Sequence, residues 1–260
     1  MRYRSKKSLG QNFLIDQNIL KKIAKVGKIS KNDNILEIGP GTGNLTKYIV
    51  EYKPKSIVVV EKDSNLIKIL KSKFNDQISI IHNDVLNLPE NFYKQSYIVY
   101  GNLPYNISSQ ILAKWCLNEK IKFKKMILMF QKEVADRILA KVNCKDYSRL
   151  TILANWRFEV KKKFNVNPEC FSPKPKIMST LLEFIPKKNF VELDEPSILE
   201  NITRLFFSQR RKMVKKNFAK FFNNFDYVSK KIGISLNDRP QNISINKYIQ
   251  LAKEYEDKLR

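Results

Sequence analysis

A glycine-rich segment and the acid before it form the strongest candidate for a ligand site. Three of the seven glycines in the chain stand within five residues, at Gly39, Gly41 and Gly43, and Glu37 precedes them. Glycine permits a tight turn and lets a ligand approach the backbone without meeting a Cβ atom. The spacing fits neither the GxGxxG fingerprint of dinucleotide-binding loops nor a phosphate-binding loop. Because Glu37 would repel a pyrophosphate, we expect a cofactor without phosphates.

Two later acids narrow the identity of this cofactor. Glu61 follows the apolar run at 56–60, and Asp84 follows the run at 78–81. A carboxylate at the end of a strand can accept hydrogen bonds from both hydroxyls of a ribose, as in dinucleotide-binding folds. Asp84 can accept a hydrogen bond from an adenine amine. S-adenosylmethionine has the ribose, the adenine and an amino-acid end, and it is the cofactor that we expect.

The segment Asn102-Leu103-Pro104-Tyr105 suits methyl transfer to the exocyclic amine of adenine. That amine is a poor nucleophile because its lone pair is delocalised into the ring. The side-chain oxygen of Asn102, which we also expect at the cofactor, and the carbonyl of Pro104 can each accept one N–H. These acceptors would aim the lone pair at the methyl group and stabilise the positive charge that grows on nitrogen. Tyr105 can stack on the base.

The segments that must position these motifs alternate between strand and helix. Short apolar runs predict strands, and the stretches between them have helical spacing. The predicted strands are 34–38, 56–60, 78–81, 97–100 and 125–130, and the predicted helices are 16–28, 44–52, 64–74 and 107–118. This order predicts an α/β fold with a parallel, doubly wound, Rossmann-like methyltransferase sheet and helices on both faces. Ligands bind such sheets at the carboxyl ends of the strands.

The composition favours a polyanionic partner. The 260 residues hold 49 Lys and Arg against 25 Asp and Glu, which gives a net charge of +24. Nucleic acid is the first candidate, and an anionic membrane is the second. A membrane-surface role lacks an apolar amphipathic face, and no apolar stretch is long enough for a membrane helix. Three scattered cysteines and one histidine predict no metal site and a reducing, cytoplasmic location.

The pattern changes after residue 186, where the strand signals stop. Helical spacing over 196–223, 226–232 and 244–258 predicts a small all-helical C-terminal domain. We therefore expect a catalytic methyltransferase domain over 1–186 and a helical RNA-binding domain over 187–260.

Basic residues flank a predicted buried stripe on the helix at 196–223. The stripe consists of Phe206, Phe207, Val214 and Phe218. The candidate RNA contacts beside it are Arg210, Arg211, Lys212 and Lys215. Lysine and arginine on one face bind phosphates, so we expect this helix to help dock RNA.

Together these residues resemble the bacterial KsgA family of small-subunit ribosomal RNA adenine dimethyltransferases. The glycine loop, both acids and the Asn102–Tyr105 segment fall in the order and spacing of that family, as do the segments at 8–14, 131–135, 171–175 and 209–212. The resemblance covers almost the whole chain. One departure is Ile177-Met178-Ser179, where the family more often has valine and aspartate.

The resemblance implies transfer of two methyl groups to each of two adjacent adenosines in a hairpin near the 3′ end of 16S ribosomal RNA. It implies that the segment at 8–14 covers the cofactor and that Gln11, Asn12 and Leu14 contact it. It also implies that Phe171 forms an aromatic clamp on the flipped base, opposite Tyr105. The expected partner is 16S RNA or a small-subunit precursor, and we expect a monomer.

Two other classes of function share the site. One is an adenine methyltransferase that acts on large-subunit RNA, of the resistance type, or on DNA. The other is an assembly factor or nucleic-acid binder that keeps the fold without turnover. The Gln209–Lys212 segment favours the small-subunit enzyme, and the intact Asn102, Pro104, Glu61 and Asp84 favour catalysis.

Overall fold

The computed structural model describes residues 6, 10–89, 92–93, 95–118 and 120–259. Residues 8 and 9 of the segment at 8–14, and most of the basic N-terminus, lie outside them. The strands are β1 (Phe13–Leu14), β2 (Asn34–Ile38), β3 (Ser56–Glu61), β4 (Ser79–His82), β5 (Tyr97–Asn102), β6 (Phe123–Gln131), β7 (Phe158–Val166), β8 (Phe171–Ser172) and β9 (Ser179–Pro186). The helices are α1 (Gln17–Val26), α2 (Asn44–Val50), α3 (Ser64–Phe74), α4 (Ser108–Leu117), α5 (Lys132–Leu139), α6 (Arg149–Arg157), α7 (Pro196–Ser208), α8 (Lys215–Phe221), α9 (Phe225–Ile232) and α10 (Ile245–Leu259).

Seven strands form one sheet in the order β4-β3-β2-β5-β6-β9-β7. β2 pairs in parallel with β3 on one side and with β5 on the other, and β6 continues the parallel set beyond β5. The five predicted strands are parallel, as expected, whereas β9, which was not predicted, runs antiparallel to β6 and makes the sheet mixed. The α/β fold class is confirmed. The order reverses between β2 and β5, and such a switch point leaves a crevice at the carboxyl ends of the two strands.

The strands beside this crevice are buried, and most of their residues are apolar. Ile35, Leu36, Val59 and Val99 have no exposed surface. Continuous apolar runs of this kind are typical of parallel strands covered on both faces. The polar residues that follow each run therefore mark the point where the strand leaves the core.

Aspartates fix the beginnings of two helices on this part of the fold. Asp16 accepts a hydrogen bond from the N–H of Ile19 at the start of α1. Asp63 accepts one from the N–H of Asn65 at the start of α3. An aspartate at this position satisfies an N–H that the helix leaves unpaired. Asp63 thus ties the first turn of α3 to the end of β3.

The chain divides into two compact units. The first contains residues 1–114, 120–135 and 160–186, and the second contains 115–119, 136–159 and 187–260. The expected boundary after residue 186 is one of the crossings between them, but the second unit also includes α6. No helix among the described residues is long and apolar enough to cross a membrane.

The elements after residue 186 are helical, as expected, but the helix predicted over 196–223 is two helices. α7 ends at Ser208, and α8 begins at Lys215. The loop between them is fastened by hydrogen bonds from the N–H of Val214 to the Asp238 carbonyl and from the N–H of Lys215 to the Leu236 carbonyl. Phe206, Val214 and Phe218 are buried, so most of the predicted stripe packs inward in spite of the break.

Candidate functional site

A cavity of about 210 Å³ opens at the carboxyl ends of β2, β3 and β5. It lies at the switch point of the sheet, where α/β folds bind ligands. The sequence-predicted residues on its wall are Gln11, Asn12, Gly39, Gly41, Glu61, Asp84, Asn102, Pro104 and Tyr105. The fold therefore brings most of the separate motifs to one place.

The glycine loop makes room at one side of the cavity. Gly39, Gly41 and Gly43 all have positive φ, at 65°, 59° and 77°. A Cβ atom on Gly41 would stand 2.7 Å from the Phe13 ring, which also lines the cavity. Gly43 does not line this cavity; a Cβ there would meet Phe74 of α3 at 2.4 Å. The observed packing of Gly43 is thus against α3, and its cofactor contact stays a prediction.

Glu61 presents a buried carboxylate to the cavity. Its Oε2 accepts a hydrogen bond from the N–H of Gly41 at 3.2 Å, and its Oε1 accepts from the N–H groups of Lys62 and Asp63, both at 2.9 Å. Burial raises the pKa of Glu61 above its usual value, in spite of these hydrogen bonds. Two carboxylate oxygens offer about four acceptor positions, and these three N–H groups use most of them, so about one position is left for a ribose hydroxyl.

Asp84 follows β4 at the opposite rim. Its Oδ1 accepts from the N–H of Leu86, and its Oδ2 pairs with the Lys62 ammonium, each at 2.9 Å. Burial alone would raise the pKa of Asp84, but these two contacts outweigh it and lower the pKa. An adenine amine would share these oxygens with Leu86 and Lys62.

Glu37 lies below the cavity and does not line it. It is 3% exposed, and its Oε2 accepts a 2.7 Å hydrogen bond from the Thr46 hydroxyl of α2. Burial raises the pKa of Glu37 to about 7, and repulsion by Glu61 adds to this effect. Glu37 borders a second, smaller cavity of about 40 Å³, which it shares with Gly101 and Asn102.

Asn102 ends β5 and is oriented by a main-chain contact. Its Nδ2 donates a 2.9 Å hydrogen bond to the carbonyl of Asn12. Because only the amide nitrogen can donate, this bond settles which way the side chain lies and leaves Oδ1 as an acceptor. Asn102 lines the same cavity as Gly41, as a methyl-transfer site requires.

The carbonyl of Pro104 differs from the expectation. It accepts hydrogen bonds from the N–H groups of Ile107 at 3.1 Å and Ser108 at 3.0 Å, where α4 begins. Its lone pairs thus serve the first turn of the helix and not a substrate. Leu103 lines the cavity between Asn102 and Pro104, and its carbonyl is the next candidate acceptor.

The two aromatic residues of the expected clamp have different surroundings. Tyr105 lines the cavity, and its hydroxyl lies 2.6 Å from the Ser179 hydroxyl. Phe171 is 3% exposed, packs in the hydrophobic core and pairs with Leu14 across the β1–β8 ladder. Phe171 is not among the residues that line the cavity, and the clamp stays a prediction.

The N-terminal segment supplies another wall of the cavity. Gly10, Gln11, Asn12 and Phe13 line it. Leu14 does not; it is buried beside the second cavity, and its carbonyl accepts a 2.8 Å hydrogen bond from Nδ2 of Asn44. The expected covering role therefore applies to residues 10–13, whereas Leu14 anchors the segment in the core.

The sequence did not predict the apolar residues that line the cavity. They are Phe13, Ile38, Val60, Leu66, Val85, Leu103 and Ile107. Ligand sites are lined mainly by such side chains, with a few polar groups that fix orientation. Sequence position could have identified several of them, because they stand directly beside a predicted polar site residue at the end of a strand.

The basic residues of the second unit form a loop and the start of a helix. Arg210 donates a 3.2 Å hydrogen bond to the Cys144 carbonyl and is half-buried. Arg211, Lys212 and Lys215 are exposed. The expected basic helix is thus mostly a loop, and its charges do not follow a helical repeat.

Comparisons with known proteins agree with this arrangement. A family model described as "Ribosomal RNA adenine dimethylase" matches residues 2–257. The ribosomal RNA small subunit methyltransferase A of Pelagibacter ubique is 53% identical over 257 residues, which are 98% of each chain. The protein of the same name from Wolbachia sp. subsp. Drosophila simulans is 40% identical and covers 96% of this chain and 93% of the relative.

Solved structures show the same fold. A dimethyladenosine transferase from Plasmodium falciparum has a TM-score of 0.79 at 29% identity, covering 95% of this chain and 98% of its own. The 23S rRNA methyltransferase ErmE has a TM-score of 0.68 at 21% identity, covering 94% and 99%. Since the family model matches nearly the full length and two relatives are at least 40% identical, the chain belongs to the ribosomal RNA adenine dimethylase family.

Proposed function

We propose that this chain transfers methyl groups from S-adenosylmethionine to the N6 amines of two adjacent adenosines in a hairpin near the 3′ end of 16S ribosomal RNA. The observation that carries the proposal is the Asn102 amide, which stands at the cavity with its oxygen left as an acceptor. The printed name of the relatives supports a substrate in the small ribosomal subunit. A monomeric state and a cytoplasmic location stay predictions from the sequence.

The cavity residues fit the parts of S-adenosylmethionine. Glu61 is suited to a ribose hydroxyl, and Asp84 is suited to the adenine amine. Apolar side chains at the strand ends, including Ile38 and Val60, are suited to the faces of the adenine ring. The cofactor supplies a methyl group on a sulfonium, which is already an electrophile, so the protein needs no metal or strong base for the transfer.

The protein orients the amine that receives the methyl group. Asn102 Oδ1 accepts one N–H, and the carbonyl of Leu103 replaces that of Pro104 as the second acceptor. Both oxygens become better partners as positive charge grows on the nitrogen. The target base must leave its stack to reach this site, and Tyr105 stacks on the extruded ring.

Labelled S-adenosylmethionine and undermethylated small subunits test the proposal directly. The protein should place label in dimethyladenosine of 16S RNA, and Asn102→Ala should not. Large subunits and DNA incubated in parallel distinguish the related methyltransferases, because label in either would move the substrate away from the small subunit. Binding of small subunits without any transfer would identify a non-catalytic assembly factor.

A further inference from the structure

One buried aspartate connects the cofactor-covering segment to the sheet. Asp63 stands two residues after Glu61, and its side chain has no exposed surface. Oδ1 accepts from the N–H of Asn65 and caps α3, whereas Oδ2 lies 2.8 Å from the ammonium of Lys6. One carboxylate thus holds a helix with one oxygen and the N-terminal segment with the other.

A second contact strengthens the same connection. Gln11 Nε2 donates to Asp63 Oδ2 at 3.5 Å, and Gln11 Oε1 accepts from the main-chain N–H of Lys6 at 2.7 Å. The Gln11 amide therefore lies between Lys6 and Asp63 with both of its ends used. Gln11 is also part of the cavity wall, so this contact network reaches the cofactor site.

Asp63 is linked to the ribose acid as well. Its own N–H donates to Glu61 Oε1 at 2.9 Å. The turn after β3 therefore presents Glu61 to the cavity and Asp63 to the segment that lines the facing wall. A shift of either carboxylate would be transmitted to the other through this short turn.

We propose that Asp63 is a positioning residue whose carboxylate, through Lys6 and Gln11, clasps residues 10–13 over the cofactor cavity and thereby sets the affinity for S-adenosylmethionine. This inference rests on the proposed cofactor site. The clasp acts on cofactor retention and not on the amine that is methylated. Asp63 touches neither reacting atom, so it is not a catalytic residue.

Two substitutions remove the ion pair from opposite sides. Asp63→Asn keeps an oxygen to cap α3, because asparagine is as good an N-cap as aspartate. Lys6→Met keeps most of the apolar stem without the charge, and Lys6→Arg restores the charge. Calorimetry measures S-adenosylmethionine affinity, steady-state kinetics separates kcat from KM, and thermal unfolding checks the fold.

We expect Asp63→Asn and Lys6→Met each to weaken cofactor binding about tenfold, the range of one charged hydrogen bond. The double variant should be no weaker than Asp63→Asn alone, since the Lys6 ammonium has already lost its charged partner in that variant. KM for the cofactor should rise while kcat and the unfolding temperature stay near wild type, and Lys6→Arg should recover the affinity. In the absence of cofactor, trypsin should cut the N-terminal basic segment faster in Asp63→Asn.

Equal cofactor affinity in wild type and both variants would overturn the clasp, as would additive losses in the double variant. A wild-type protein that binds S-adenosylmethionine but methylates no RNA would overturn the proposed function and leave these binding results valid. The two failures are therefore distinguishable.

Discussion

The side chain of Asn102 and the main-chain carbonyl of Asn12 meet at 2.9 Å, although 90 positions separate them in the chain. Asn102 ends a central strand, and Asn12 belongs to the segment that covers the cavity. The contact holds the Asn102 amide with Nδ2 toward the main chain of the covering segment and leaves Oδ1 as an acceptor.

Asn102→Ala should lower the methylation rate about 10²–10³-fold, or roughly 2.7–4 kcal/mol, the usual loss for one preorganised polar contact. Affinity for S-adenosylmethionine should change much less. Single-turnover kinetics and calorimetry measure the two quantities. Equal losses in rate and affinity would show that Asn102 serves the cofactor and not the amine.

Asn102→Asp separates the two ends of the amide. The variant keeps acceptor oxygens but loses the donor to the Asn12 carbonyl, which would then face a carboxylate. We expect an impairment as severe as in Asn102→Ala. A rate within about tenfold of wild type would mean that the Asn12 contact is dispensable.

Gly41→Ala and Gly43→Ala form a matched pair. Each puts a side chain at positive φ, which costs about 1–2 kcal/mol per residue. The new Cβ of Gly41→Ala would press on Phe13 in the cavity wall, so cofactor affinity should fall. The Cβ of Gly43→Ala would press on Phe74 in the core, so the unfolding temperature should fall further while affinity changes less. The reverse pattern would contradict the assignment of Gly41 to the cavity and Gly43 to helix packing.

The buried Glu37 predicts a pH dependence of stability. Its pKa is about 7 in the folded protein, chiefly through burial, against 4.5 as the ordinary value. Between these values the folded protein keeps a proton that the unfolded chain has released, so the free energy of unfolding falls as pH rises.

Glu37→Gln lacks this titration. From about pH 5 to about pH 8, we expect the variant to gain about 1–3 kcal/mol of stability relative to wild type. Urea denaturation at both pH values measures the difference. A difference that does not change with pH would show that Glu37 titrates normally.

Arg211 and Lys212 should contribute to RNA affinity through phosphates. Replacing both with alanine should weaken binding to small-subunit RNA and reduce the slope of log affinity against log salt by about 2, or one per charge. Lys230→Ala, which removes an exposed charge from α9, provides a comparison. An unchanged slope in the double variant would place the RNA elsewhere.

The strands and helices around the cavity could be predicted because each has a strong local pattern. β2 and α3 have the predicted bounds, Asn34–Ile38 and Ser64–Phe74. β7 and β9 received no prediction, since β7 carries Lys161–Lys163 in its centre and β9 has no clear alternation of apolar and polar residues. The break between α7 and α8 depends on hydrogen bonds to Leu236 and Asp238. These residues are distant in sequence, so the local hydrophobic pattern does not predict the break.

Motif order predicted which segments meet, but not which side chains face the cavity. Gly43, Leu14 and Phe171 do not line the cavity: Gly43 packs on α3, and the other two are core residues. The short β1–β8 pair sets the directions of the Leu14 and Phe171 side chains, and the tight turn of the glycine loop sets the packing of Gly43. The hydrogen bonds that the Pro104 carbonyl accepts could not be predicted from the sequence either, because they depend on where α4 begins.

Glu61 receives three main-chain N–H groups before any ligand arrives. Its side chain is therefore already confined to one rotamer, and little of its conformational entropy remains to be lost when a ligand binds. The carboxylate has also lost most of its contact with water before a ligand binds. The affinity for the nucleoside part of a ligand should therefore vary little with solvent conditions that increase side-chain mobility.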